Sequence, residues 1–222
     1  MKQVLCLASL LLGALVLSSG CGVSVNKSLS LADGQTQDSG MTTVNGRIRI
    51  GNDAELGGNA RTVNGGITVG DRSKVESLET VNGSVKVGSE TTVNGDLKTV
   101  NGSVTCAYGA EVAGEIATVN GSIKLTHATV AEDLTTVNGS VELRDASTVH
   151  GDIRFKGSGG KRSKPRELIL TDGSVLKGNV VVDKDNPQLI IELKGDSKIE
   201  GQIPDGVEIS SDTPTPPTPE TI

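Results

Sequence analysis

The residues of this chain that could do chemistry are few: two histidines, three cysteines, and a set of Asn, Thr and Asp side chains that recur at fixed spacing. When the recurrences are aligned, His127 falls in one column with Asn52, Asp71, Ser89, Tyr108 and Asp145, which puts Tyr108 and Asp145 on the turns either side of it. A His beside a carboxylate could serve as a general base. The column supplies no nucleophile and no pocket, however, so His127 reads as a solvated corner residue. His150 stands where a repeated motif otherwise has Asn and reads as structural. Two His on different sides, with no further ligand at metal spacing, do not predict zinc. No Gly-rich phosphate loop leads into a helix, and the acidic residues do not follow the nonapeptide of calcium-binding β-rolls. The chain is therefore predicted to be no enzyme, with no catalytic residue, metal or cofactor.

The cysteines divide by position. Residues 1–20 have a short positive start at Lys2, an apolar stretch from Val4 to Leu17 and small residues ending at Cys21. That stretch is too short to span a bilayer and reads as a signal peptide. Leu17-Ser18-Ser19-Gly20-Cys21 resembles the bacterial lipobox, with Ser18 where Leu is commoner. The resemblance implies lipidation of Cys21, and Gly22 after it implies delivery to the outer membrane. Cys6 leaves with the signal, so Cys106 has no disulfide partner. It shares a column with Ile50, Val69, Val87, Leu125 and Leu143 and reads as a small buried hydrophobe.

These columns exist because the chain repeats. Thr-Val-Asn-Gly begins at Thr43, Thr62, Thr80, Thr92, Thr99, Thr118 and Thr136, and Thr-Val-His-Gly at Thr148, with spacings of 19, 18, 12, 7, 19, 18 and 12. The segment from Val44 to Thr99 recurs as Val100 to Phe155. Inside this period an apolar residue returns about every sixth position: Val44, Ile50, Leu56, then Val63, Val69, Val75, then Val81, Val87, Val93, then Val100, Cys106, Val112. A second inward position follows four residues after each, as strand alternation requires. It is Ile48, Ile67, Val85, Val104, Ile123 and Val141 on the first side. On the second it is the small set Ala54, Ser73, Thr91, Ala110, Thr129 and Ser147, and on the third Ala60, Leu78, Leu97, Ile116, Leu134 and Ile153. This pattern predicts an all-β chain, a single-stranded parallel β-helix of either hand with three sides and 18–19 residues per turn. The Asn-Gly pairs would turn its corners through positive φ angles.

One domain suffices. Residues 21–40 read as a tether or N-terminal cap, 41–209 as the solenoid with a polar, basic insertion at 156–167, and 210–222 as a disordered Pro- and Thr-rich tail. The core must be built from aliphatics, since the chain has one Phe, one Tyr and no Trp. Without Lys2 it carries 20 basic and 27 acidic residues, a formal charge of −7 that argues against a nucleic-acid partner.

Two columns are predicted to line the surface: Thr43, Thr62, Thr80, Thr99, Thr118, Thr136, and beside it Asn45, Asn64, Asn82, Asn101, Asn120, Asn138. The Asn amides can satisfy one another along the corner. A flat Thr/Asn lattice could instead bind ice or a crystalline polysaccharide.

Val-x-Gly-Asp/Glu-Leu/Ile units at Val93 to Leu97, Val112 to Ile116 and Val149 to Ile153, with Leu176-Lys-Gly-Asn-Val180, resemble the repeats of bactofilins. The likeness covers Met41 to Ile203 and implies a narrow triangular β-helix that assembles end to end without nucleotide. Bactofilins are cytoplasmic, whereas this chain reads as exported. Gly-rich repeats of bacterial adhesin families are similar too, as are the hexads of left-handed β-helix acyltransferases, where His127 would be the catalytic candidate. The expected function is a lipid-anchored structural or adhesive scaffold of the cell envelope, held to the membrane at Cys21 and open to self-association or to envelope components. The sequence yields one direct test. Cys21→Ser should move the protein from the membrane fraction to the soluble fraction; unchanged partitioning would contradict lipidation.

Overall fold

A computed structural model describes residues 23–157, 165–183 and 189–211. Among these there is no helix. Twenty-eight strands of two to five residues form three parallel sheets of nine, ten and nine strands, which the chain visits in rotation. In the first sheet Leu78–Asn82 lies between Ala60–Asn64 and Leu97–Thr99. In the second Val85–Val87 lies between Ile67–Val69 and Val104–Cys106, and in the third Thr92–Val93 lies between Lys74–Val75 and Glu111–Val112. Each strand stacks on its equivalent one turn away, giving the expected three-sided β-solenoid of about nine turns.

The solenoid begins before Met41. Val23–Ser24, Leu29–Leu31 and Thr36–Gln37 pair in parallel with the strands of the following turn, so residues assigned to a tether or cap build a whole turn. At the other end Glu208–Ser211 pairs with Leu189–Leu193. Within the predicted insertion at 156–167, Arg166 and Glu167 already belong to the strand Arg166–Leu170. The signal segment 1–20, Cys21, most of the insertion and the tail beyond Ser211 lie outside the described residues.

The core columns Ile48, Ile67, Val85, Val104, Ile123, Val141 and Ala60, Leu78, Leu97, Ile116, Leu134, Ile153 are buried as one continuous cluster, and Cys106 sits inside it. The predicted phase fails at one edge of the first sheet. Val44, Val63, Val81 and Val100 are only half-buried, Val119 and Val137 lie outside the core cluster, and Thr43, Thr62, Thr80, Thr99, Thr118 and Thr136 point inward with exposures of 0–3%. The Thr column is thus interior and no surface ladder. Its hydroxyls explain the inversion: those of Thr43, Thr62, Thr80, Thr99 and Thr118 donate at 2.8–3.0 Å to the carbonyls of Lys27, Gly46, Gly65, Gly83 and Gly102 at the corner one turn before. A Val there would leave each carbonyl short of a partner, a loss of about 1 kcal/mol per turn.

The tetrapeptides outside the main spacing have the opposite phase. At Thr92 and Thr148, in the third sheet, the Val is buried and the Thr half-exposed. On the second side Thr129 is exposed and Ala128 takes the inward place. His127, at φ 48°, rounds that corner in one residue fewer, making an 18-residue turn.

The corner glycines are also present for a different reason than expected. Positive φ is confined to other places, chiefly the second corner, where Gly34, Asp53, Arg72, Glu90, Gly109, His127 and Asp145 adopt it turn after turn. The glycines of the Asn-Gly pairs are instead sites of close approach, since a Cβ on Gly65, Gly83, Gly102 or Gly121 would overlap the carbonyl of the glycine one turn below. Gly102→Ala should therefore cost about 2–3 kcal/mol, whereas at Gly57 the nearest atoms to an added Cβ are 3.3 Å away, and Gly57→Ala should cost under about 1 kcal/mol. Ile123→Asp should be worse than either, because it buries an unpaired charge. Urea melts of the three variants check this order; equal midpoints for Gly102→Ala and Gly57→Ala would contradict the close approach.

Candidate functional site

Each corner of the prism carries its own polar device. At the first corner the Asn column emerges from the strand end, one residue past the half-buried Val, and its amides form a continuous tape. Asn45 Nδ2 donates to Asn26 Oδ1, Asn64 to Asn45, Asn82 to Asn64, Asn101 to Asn82, Asn120 to Asn101 and Asn138 to Asn120, all at 2.7–2.9 Å. The tape gains a residue the pattern did not include, Asn26, which alone among its members has a positive φ, 57°. Beyond the tape run the glycines, and beyond those a column of Ser28, Arg47, Gly66, Ser84, Ser103, Ser122 and Ser140. In it Ser28, Ser84 and Ser140 Oγ accept the N–H of Arg47, Ser103 and Glu167.

One stretch of this corner is a shallow, open depression. Ser28, Asn45, Gly46, Arg47, Asn64, Gly65, Gly66 and Asn82 line an open trough of about 620 Å³. Its lining includes Gly46, Gly65 and Gly66, the last standing where later turns have Ser. The sequence did carry this signal, in that Asn64-Gly65-Gly66 departs from the Asn-Gly-Ser of the later repeats, but departures from a repeat draw less notice than the repeat.

The second corner holds the histidine. His127 stacks on Tyr108 with ring centroids 4.1 Å apart and planes 6° from parallel, so the predicted neighbours do meet. The expected carboxylate contact does not form: His127 Nδ1 lies 2.8 Å from the backbone carbonyl of Asp145. A main-chain carbonyl fixes the orientation of the ring. The column's other carboxylates and amides cap the next turn, with Asp33, Asn52 and Asp71 Oδ1 accepting the N–H of Asn52, Asp71 and Ser89.

The third corner works in the same way. Asp96, Asp133, Asp152 and Asn179 Oδ1 accept the N–H of Glu115, Asp152, Asn179 and Gln202. Burial disfavours the Asp133 carboxylate, but Arg154 at 2.8 Å and the Asp152 N–H outweigh it and hold the carboxyl below its usual range. Asp96 behaves alike beside Lys98. His150 is exposed at this corner. In the core, burial pushes the Cys106 thiol up to about 12, which leaves it protonated and inert at neutral pH.

Set against models of known protein families, curated proteins and solved structures, the chain matches none.

Asn101→Asp should cost about 1 kcal/mol at pH 7, since a carboxylate cannot donate to Asn82 Oδ1. The fold disfavours its ionised form, so the deficit against wild type is full above the carboxylate range and shrinks as the pH falls through it. Melting at pH 7 and at about pH 3 checks this; a deficit that does not change with pH would contradict the direction of the tape.

Proposed function

We propose that the chain is a non-enzymatic, exported, lipid-anchored rod with a structural or adhesive role in the cell envelope. One observation carries the reading: the polar side chains repeated most regularly are engaged with the adjacent turn. The Asn tape, the interior Thr hydroxyls and the Asp and Ser caps each join one turn to the next. Side chains spent on stacking specify a rigid shape, and a rod is a spacer or a presenting surface before it is a catalyst.

The ends favour assembly. Among the described residues the strands of the first turn pair on one side only, as do Glu208–Ser211 and Lys198–Ile199 at the far end. Val23 and Val25 at one end and Ile209 at the other are half-exposed or more. Unpaired strand edges with apolar side chains invite a second copy, in keeping with the resemblance to end-to-end polymers. Attachment at Cys21 would place the rod on a membrane, with the outer membrane the proposed destination.

Electron microscopy and small-angle scattering of the purified protein should give rods about 45 Å long, or filaments of such rods; globular particles would refute the scaffold. In a screen with acyl-coenzyme A donors and amino-sugar acceptors, wild type and His127→Ala should both be inactive. Turnover that vanishes in His127→Ala would establish an enzyme instead.

A further inference from the structure

The trough at the first corner opens onto a patch of unpaired cations. Along the second sheet the outward positions are, in register, Ser30, Arg49, Thr68, Lys86, Thr105, Lys124 and Glu142, so no acidic side chain enters this column before Glu142. Arg47 forms a wall of the trough, and Lys27 precedes Gly46 in the glycine column. Elsewhere many cations are paired: Arg61 with Glu79, Arg72 with Asp53, Lys98 with Asp96, Lys124 with Glu142 and Arg154 with Asp133. Among the described residues Lys27, Arg47, Arg49 and Lys86 have no such partner and all four are exposed; Lys74 and Lys177 are unpaired too, but stand apart from this cluster. In the neighbouring second-corner column Asp33 and Asp71 are engaged with backbone N–H groups. The protein is acidic overall, at formal charge −6, so these four cations on the first turns stand out against its surface.

We infer that this trough and the adjoining face of the second sheet bind a linear acidic polysaccharide lying parallel to the rod axis. This rests on the scaffold reading and names its partner. The charge points to an anion, and the periodicity to a polymer. Arg49 and Lys86 stand two turns apart, about 10 Å, a separation suited to an extended glycan with one carboxylate per disaccharide. Arg47 and Arg49 can each take a carboxylate through the two-pronged guanidinium. Between the cations the trough offers what sugar hydroxyls need, the outer faces of the Asn45, Asn64 and Asn82 amides, each with donor and acceptor capacity beyond the tape, and the Ser28 hydroxyl, while Thr68 lies between Arg49 and Lys86 on the adjoining sheet. A broad, densely charged duplex would meet the repulsion of the acidic remainder.

The test uses the full chain and hyaluronate, a linear glycan with one carboxylate per disaccharide, with dextran, duplex DNA and phosphatidylglycerol vesicles as alternatives, at about 0.05 M and 0.15 M salt. Hyaluronate should bind, dextran should not, and binding should weaken with salt. The triple variant R47E/R49E/K86E should lower affinity about tenfold or more, whereas Lys74→Glu and Lys177→Glu, in and just after strands of the third sheet, should change it less than about twofold. Gly66→Ser, which restores the side chain of the later turns, should weaken binding without altering charge. Equal loss from the Lys74 and Lys177 variants, or tighter binding to DNA or to vesicles than to hyaluronate, would overturn the assignment. Scattering on the same variants separates the two claims: rods that fail to bind hyaluronate refute this site and leave the scaffold standing.

Discussion

Everything in this molecule follows from each turn being hydrogen-bonded, in parallel and in register, to the turn before it. Through Phe155 a residue then has as its neighbour the residue 18 or 19 positions away, in the same orientation and often of the same type. Identical neighbours are harmless for aliphatics, which stack into a core, and costly for most polar groups, which repel or leave donors unmet. The side chains that recur are those that can bond to a copy of themselves or to the backbone one turn off. Asn is both donor and acceptor and forms a tape; Thr reaches the preceding corner carbonyl; Asp caps the succeeding N–H. Charged pairs across turns, such as Arg72 with Asp53, fill the exposed positions, where they contribute little.

The four letters of the dominant motif divide this labour. Thr closes a carbonyl from inside, Val covers the strand edge, Asn extends the tape, and Gly lets the corner backbones approach. The architecture was legible because a period of this length admits few folds, and the columns of Ile48 and Ala60 were placed correctly by alternation alone. The orientation of Thr was not legible, because Thr and Val have nearly the same shape and hydropathy favours Val inside. What reversed the choice was a hydrogen bond to a carbonyl on another turn, invisible until the turns are stacked. Thr129 was misplaced for a kindred reason: which of two neighbouring residues rounds a corner depends on a backbone conformation, here that of His127, that spacing does not reveal.

The candidate site was less legible still. A repeat draws the eye to what recurs, and the trough lies where recurrence lapses, at Gly66 in a column of Ser and at Arg47, where the later turns also have Ser. Conversely, His127 drew attention by its rarity and proved to be held by a main-chain carbonyl and an aromatic neighbour. In a rod whose regular polar groups are engaged in stacking, functional surface is to be sought in the exceptions. The unpaired cations and the open corner coincide on the same turns, which is why the two observations together carry more than either alone.

The orientation of the motif is the claim on which the rest hangs, and thiol labelling tests it most directly. In a background carrying Cys6→Ser and Cys21→Ser, single cysteines at Thr99, Val100 and Asn101 would be exposed to a small alkylating reagent under native conditions. Thr99→Cys should label as slowly as the buried Cys106, with Val100→Cys intermediate and Asn101→Cys fast. Rapid labelling at Thr99→Cys with protection at Val100→Cys would place Val inside and Thr outside, and would contradict the account of how these turns are held together.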